Sequence, residues 1–142
     1  MSVRTYAGVG AAILAAALMA NAGAAQAMSA PKAVTRGVAT YVNGGIGQTE
    51  ADAIRHMAPK WPVEMTFAKR QQGRNEFVAG VKLRVTGQGG RTVMDVHDSG
   101  PLLLLRLPDG HYTASADYNG HVKTQRLDIA AGHHDNIDFL WS

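Results

Sequence analysis

The sequence predicts an all-β chain: an antiparallel sandwich of about seven short strands with one short N-terminal helix. Three observations predict it. From Trp61 to the C-terminus, apolar residues recur at every second position. Turn-forming clusters interrupt them at intervals of roughly ten residues. Only one stretch, just before Pro59, has helical spacing.

Taken in order, the 142-residue chain opens with Arg4, an apolar stretch from Tyr6 to Ala20, and small residues around Ala25-Gln26-Ala27. A positive start, a short apolar region and an A-x-A site describe a signal peptide over residues 1–27. The rival reading is a membrane anchor, but the run is about 15 residues and Ala-rich, against the ~20 needed to span a bilayer. Export to the periplasm or the medium is therefore expected, with no membrane span after cleavage. Met28 stands at the first mature position and the chain has no cysteine, which excludes a lipidated cysteine, disulfides and thiolate metal sites. The remaining chain, about 115 residues, is long enough for one apolar core. Net charge is +3, with signs interspersed and no basic stripe with aromatics between, so nucleic acid is not an expected partner. The basic balance mildly favours anionic cell-surface partners.

Residues 28–37 read as a flexible leader. Residues 38–60 hold a short extended stretch, Val38 to Val42, the Gly-rich Asn43-Gly44-Gly45-Ile46-Gly47, and the helix. Thr49 is placed to cap that helix, with Asp52 three residues on and Glu50 adding negative charge to the first turn. Ala53, Ile54, Met57 and Ala58 form its narrow apolar face, and Pro59 ends it. So short a helix is stable only when docked on something larger.

Residues 61–142 form the sandwich. Val63, Met65 and Phe67 alternate with polar or small neighbours, as do Phe77, Ala79, Val81, Leu83 and Val85. Thr92 to His97 is a shorter strand. Leu102 to Leu105 is unbroken apolar, as expected of a strand covered on both sides. Tyr112, Ala114, Ala116 and Tyr118 alternate, Leu127 and Ile129 follow, and Ile137, Phe139 and Trp141 close the chain. Asn119-Gly120 is a strong two-residue hairpin signal, since both central positions of a type I′ turn need φ > 0. With that loop, Tyr118 pairs with His121 and Tyr112 with Leu127. The inner face then carries His121, Lys123 and Gln125 near the tip, so the tip is expected to project past the core rather than contain a bulge. Strands so spaced suit a sandwich of immunoglobulin-like or prealbumin-like design.

The run Leu107-Pro108-Asp109-Gly110-His111-Tyr112-Thr113-Ala114, leading into Tyr118-Asn119-Gly120, resembles the Leu-Pro-x-Gly-x-Tyr-x-x-x-Ala-x-Tyr-x-Gly pattern of carboxypeptidase regulatory-like domains. The similarity runs from Trp61 to Trp141. It implies the transthyretin (prealbumin-like) fold. Asn43 to Gly47 and the following helix look like the lead segment of small exported bacterial proteins in this group. In the carboxypeptidases such a domain accompanies a zinc peptidase domain. This chain has no His-x-x-Glu zinc motif, so the resemblance implies a free-standing accessory module.

Several constellations invite chemistry. Gly44-Gly45-Ile46-Gly47 before a helix suggests a phosphate loop, but it lacks the Lys-Ser/Thr pair, and Glu50 and Asp52 would repel an anion from the helix start. His133-His134-Asp135 is the densest histidine group. Adjacent strand residues point to opposite faces, so His133 and His134 cannot easily share a metal unless they sit in a loop behind Ala131-Gly132. Solvated loop histidines are the default, and no metal or other cofactor is assigned. Asp98-Ser99-Gly100 with His97 lacks a nucleophile elbow and reads as a turn. Hydroxyisourate hydrolases share the transthyretin fold but end in Tyr-Arg-Gly-Ser, whereas this chain ends Phe139-Leu140-Trp141-Ser142. No catalytic residue is assigned, and the chain is read as a non-enzyme. The binding residues read from the sequence are Tyr118, Asn119, His121 and Lys123 at the hairpin tip, with Trp61 between Pro59 and Pro62. The expected function is an accessory module contacting an envelope protein or cell-surface polymer. The alternative is a small carbohydrate-binding domain that stacks sugars on Tyr118 or Trp61. Self-pairing through edge strands is a third kind of contact open to such a sandwich.

Overall fold

A computed structural model describes residues 31–142, and the signal peptide expected over residues 1–27 lies outside them. Among the described residues ten strands form, rather than about seven, and they make two sheets. The first sheet holds β1 (Val34–Arg36), β2 (Ala39–Gly44), β3 (Val63–Gln71), β4 (Arg74–Phe77), β7 (Leu102–Arg106) and β10 (Asp135–Trp141). The second holds β5 (Val81–Thr86), β6 (Thr92–Ser99), β8 (Gly110–Tyr118) and β9 (His121–Ile129), in the order β6-β5-β8-β9. Among the described residues a single α-helix, α1 (Gln48–Met57), runs into a short 3₁₀ turn, Ala58–Lys60.

The unbroken apolar run organises the layers. All four side chains of Leu102–Leu105 are fully buried. By strand alternation Leu103 and Leu105 join the core between the sheets, with Val63, Met65, Phe67, Leu83, Val85, Ala114 and Leu127. Leu102 and Leu104 point the other way and join Val42, Ala51, Ile54, Ala58 and Trp61 under the helix. Helix, sheet and sheet thus make three layers, and β7 runs inside the first sheet between β2 and β3.

The structure corrects several sequence expectations. Val34–Arg36, read as leader, pairs with β2, and β2 pairs along β7, so the lead segment is part of the sheet. The sheets are not wholly antiparallel, because β10 runs parallel to β3 from Asp135↔Val63 to Trp141↔Lys69. Phe77 does not begin an inward-facing strand. It ends β4 and is exposed, while Val78 turns into the core, its N–H bonded to the Phe67 carbonyl at 3.1 Å. The chain changes sheets between Phe77 and Val81. Thr49 does not cap the helix either: Gly47 is the N-cap, with φ 89° and no side-chain bond, and the buried helical face runs through Ala51 and Ile54.

What replaces the cap is a latch. The Glu50 carboxylate reaches back to the Gly45 N–H at 2.8 Å. Asn43 Oδ1 accepts from the Gly100 N–H (2.8 Å) and from Ser99 Oγ (3.3 Å), holding the β6–β7 turn against the Gly-rich segment. A Cβ at Gly100 would lie 2.6 Å from the Gly44 carbonyl oxygen, so only glycine fits this crossing. The expected register of the last hairpin is observed, Tyr118↔His121 through Tyr112↔Leu127, without a bulge.

Two stability predictions follow from this packing. Leu103→Ala and Leu104→Ala should each cost about 2–5 kcal/mol in urea unfolding, although they face different layers; a cost under about 1 kcal/mol for Leu104→Ala would mean the helical layer seals nothing. Gly100→Ala should destabilise by about 1–3 kcal/mol through overpacking against backbone, and an unchanged unfolding midpoint would refute the tight crossing.

Candidate functional site

Two hairpins leave the core at one end of the sandwich. Asn119 and Gly120 (φ 52° and 84°) turn β8 into β9, and Gln72 and Gly73 (φ 53° and 77°) turn β3 into β4, both with the paired positive φ of a type I′ turn. Their common position follows from the contacts at their bases. Trp141 is the parallel partner of Lys69, two residues before the β3 strand ends. The Trp141 ring lies 5.4 Å from that of Tyr118, the closing residue of the other hairpin. The Trp141 indole N–H donates to the His121 carbonyl at 2.9 Å. Phe67 and Phe139 continue this aromatic row into the core, their centroids 5.4 Å apart.

Alternation then fixes which side chains face one another. Lys69 and Gln71 continue the inward face of Met65 and Phe67, with Glu76 and Arg74 opposite them on β4. In the other sheet, Ala116 and Tyr118 carry the inward face, with Lys123 and His121 as their cross-strand partners. As the strands leave the core these faces turn from apolar to cationic. His121, Val122, Lys123, Arg70 and Arg74 are exposed. Among the described residues the ion pairs are Arg84–Asp95 and His111–Asp128, so Lys69, Arg70, Arg74 and Lys123 have no carboxylate within 4.0 Å. Asp117 accepts the Gly120 N–H at 2.9 Å and steadies the turn.

Tyr118, Asn119, His121 and Lys123 therefore sit together, but Tyr118 is only half exposed because its ring rests on Trp141. Trp61 is not with them. It stands at the opposite end, beside Val63, the start of β3. It is 7% exposed, with the Arg106 guanidinium 4.3 Å over its ring. A groove of about 370 Å³ opens there, lined in part by Lys60, Trp61, Arg106, Asp109, His133 and His134. His134 Nδ1 donates to the Trp61 carbonyl at 2.5 Å, and its Nε2 lies 3.2 Å from Asn136 Oδ1. Among the described residues no three His, Asp or Glu side chains converge as metal ligands. Ser99 is fully buried, its hydroxyl directed to Asn43 Oδ1 and the Gly100 carbonyl.

Lys69, Arg70 and Arg74 were not read as site residues in the sequence. Their stretch lacks alternation, and the signal that identifies it is Gln72-Gly73 flanked by cations. Arg106 is hidden in the sequence as the polar end of a leucine run. No protein-family model matches the chain, and no curated protein matches it. Among the described residues, no helix is long and apolar enough to cross a membrane.

The ring of Tyr118, rather than its hydroxyl, makes the contact with Trp141. Tyr118→Phe should leave the thermal unfolding midpoint unchanged, while Tyr118→Ala should cost about 1–3 kcal/mol; equal midpoints for the two variants would contradict the Trp141 contact.

Proposed function

We propose that this chain is an exported, non-catalytic binding module with a prealbumin-like sandwich of the carboxypeptidase regulatory-like kind. It engages an anionic envelope protein or cell-surface polymer through its two-hairpin end. The observation that carries the reading is the pair of type I′ hairpins projecting from one end with four cations unpaired among the described residues. A type I′ turn holds its strands in fixed register, so the backbone that carries the cations needs little ordering on binding. Cations outnumber the acids Glu76 and Asp117 on the two prongs, and such an excess steers an anionic partner. Export is supported by the A-x-A site after a short apolar stretch. The accessory role is supported by the Pro108-Asp109-Gly110-His111-Tyr112 turn, where the Tyr112 hydroxyl donates to the Pro108 carbonyl at 2.7 Å and so serves the fold.

The carbohydrate-binding alternative has less support. Sugar stacking needs an open aromatic face, and Trp61 lies under Arg106 while Tyr118 lies against Trp141.

Co-sedimentation of the purified protein with envelope fragments, at low and high salt, tests the proposal. Combined Lys69→Ala, Arg70→Ala, Arg74→Ala and Lys123→Ala should weaken low-salt binding by about tenfold or more. A control with Lys32, Arg36, Arg91 and Arg126 replaced by alanine removes equal charge elsewhere. Equal losses in both variants would reduce the effect to net charge and reject the two-hairpin site.

A further inference from the structure

We propose that the groove over Trp61, at the end of the sandwich away from the hairpins, binds a small phosphate-bearing molecule. Arg106 and Lys60 would take the phosphate oxygens. The inference is independent of the hairpin reading and rests on different residues.

Arg106 ends β7 on the same face as Leu102 and Leu104, which places it over the indole that closes the helical layer. Its guanidinium lies 4.3 Å from the Trp61 ring centroid. That contact holds the cation over the ring face by its charge, and a guanidinium so placed can still donate N–H groups to a further partner. Among the described residues no carboxylate lies within 4.0 Å of Arg106. Lys60, in the turn that leads to Trp61, lines the same groove. Asp109 is the acid in the lining, so two permanent cations face one carboxylate.

The walls are held in place. The Trp61 N–H bonds to the Ala58 carbonyl (2.9 Å), and the Asp135 N–H bonds to the Pro62 carbonyl (2.9 Å). His134 ties the β9–β10 loop to the Trp61 carbonyl, and the His133 N–H bonds to the Ala130 carbonyl at 3.1 Å. A site fixed in this way loses little freedom when it binds.

Size and chemistry select the ligand. About 370 Å³ falls within the range of small-molecule sites and exceeds what a bare ion fills. Pro59, Trp61 and Pro62 give the groove an apolar wall for the body of such a ligand. A planar carboxylate would be satisfied by the arginine fork alone. A fork together with a separate ammonium point charge suits the three oxygens of a phosphate monoester.

The test is an NMR titration of the full-length, ¹⁵N-labelled protein with glucose 6-phosphate, inorganic phosphate and glucose at constant ionic strength. The Trp61 indole is identified by its loss in Trp61→Phe. Glucose 6-phosphate should give saturable shifts of the Trp61 indole and the Arg106 Nε–H, inorganic phosphate weaker ones, and glucose none. Arg106→Gln should lower affinity by about tenfold or more, and Lys60→Gln by about threefold. An undisturbed Trp141 indole signal in each variant reports an intact fold. Saturation by glucose equal to that by its phosphate, unaltered affinity in both variants, or shifts that never saturate would each overturn the proposal.

Discussion

A strand whose two faces are both covered by apolar side chains cannot set its register by polarity, since a slip of one residue would change nothing in polarity yet misplace every contact. Leu102–Leu105 is held instead by what lies around it. Leu103 and Leu105 fill the space between the sheets, Leu102 and Leu104 fill the space under the helix, and β2 and β3 hold its edges. The Asn43 clamp on Gly100 fixes where the strand begins. Both candidate sites are positioned from this strand. Arg106 is its last residue and reaches the Trp61 groove, while β3, aligned on it, carries Lys69 and Arg70 out past the core.

Much of this arrangement was legible in the sequence, for identifiable reasons. Strands with one buried face announce themselves by alternation, as Val63-Met65-Phe67 and Ala114-Ala116 do. A doubly covered strand announces itself by an unbroken run. Asn119-Gly120 carried enough backbone preference to fix a register over nine residue pairs. What escaped was whatever buries little. Val34–Arg36 and Arg74–Phe77 are exposed along their whole length and are held by backbone pairing, which leaves no pattern in side-chain polarity. The parallel direction of β10 was likewise invisible, because alternation of Ile137, Phe139 and Trp141 is the same whichever way the neighbouring strand runs.

The candidate surfaces divide along the same line. The residues at the Asn119-Gly120 tip could be named because the turn that presents them is local. Their partners on β3 and β4 could not, since the two tips are brought to one end only by Trp141, which pairs beside Lys69 in one sheet and rests on Tyr118 of the other. Trp61 drew attention as an aromatic between prolines, but its surroundings are made by Arg106 and the β9–β10 loop, both distant in sequence.

The strand pairing also sets a schedule for making the molecule. Synthesis runs from the N-terminus, and β2 leaves the ribosome well before its neighbour β7 has been made. β3 waits longer still, because the strand along its other edge, β10, is the last of the described strands. Such distant pairings fold slowly and leave unfinished edges exposed while the chain is incomplete. The β10 edge of the first sheet is closed only after Asp135–Trp141 has been made, whereas the β1–β2, β3–β4 and β8–β9 hairpins can pair as soon as they emerge.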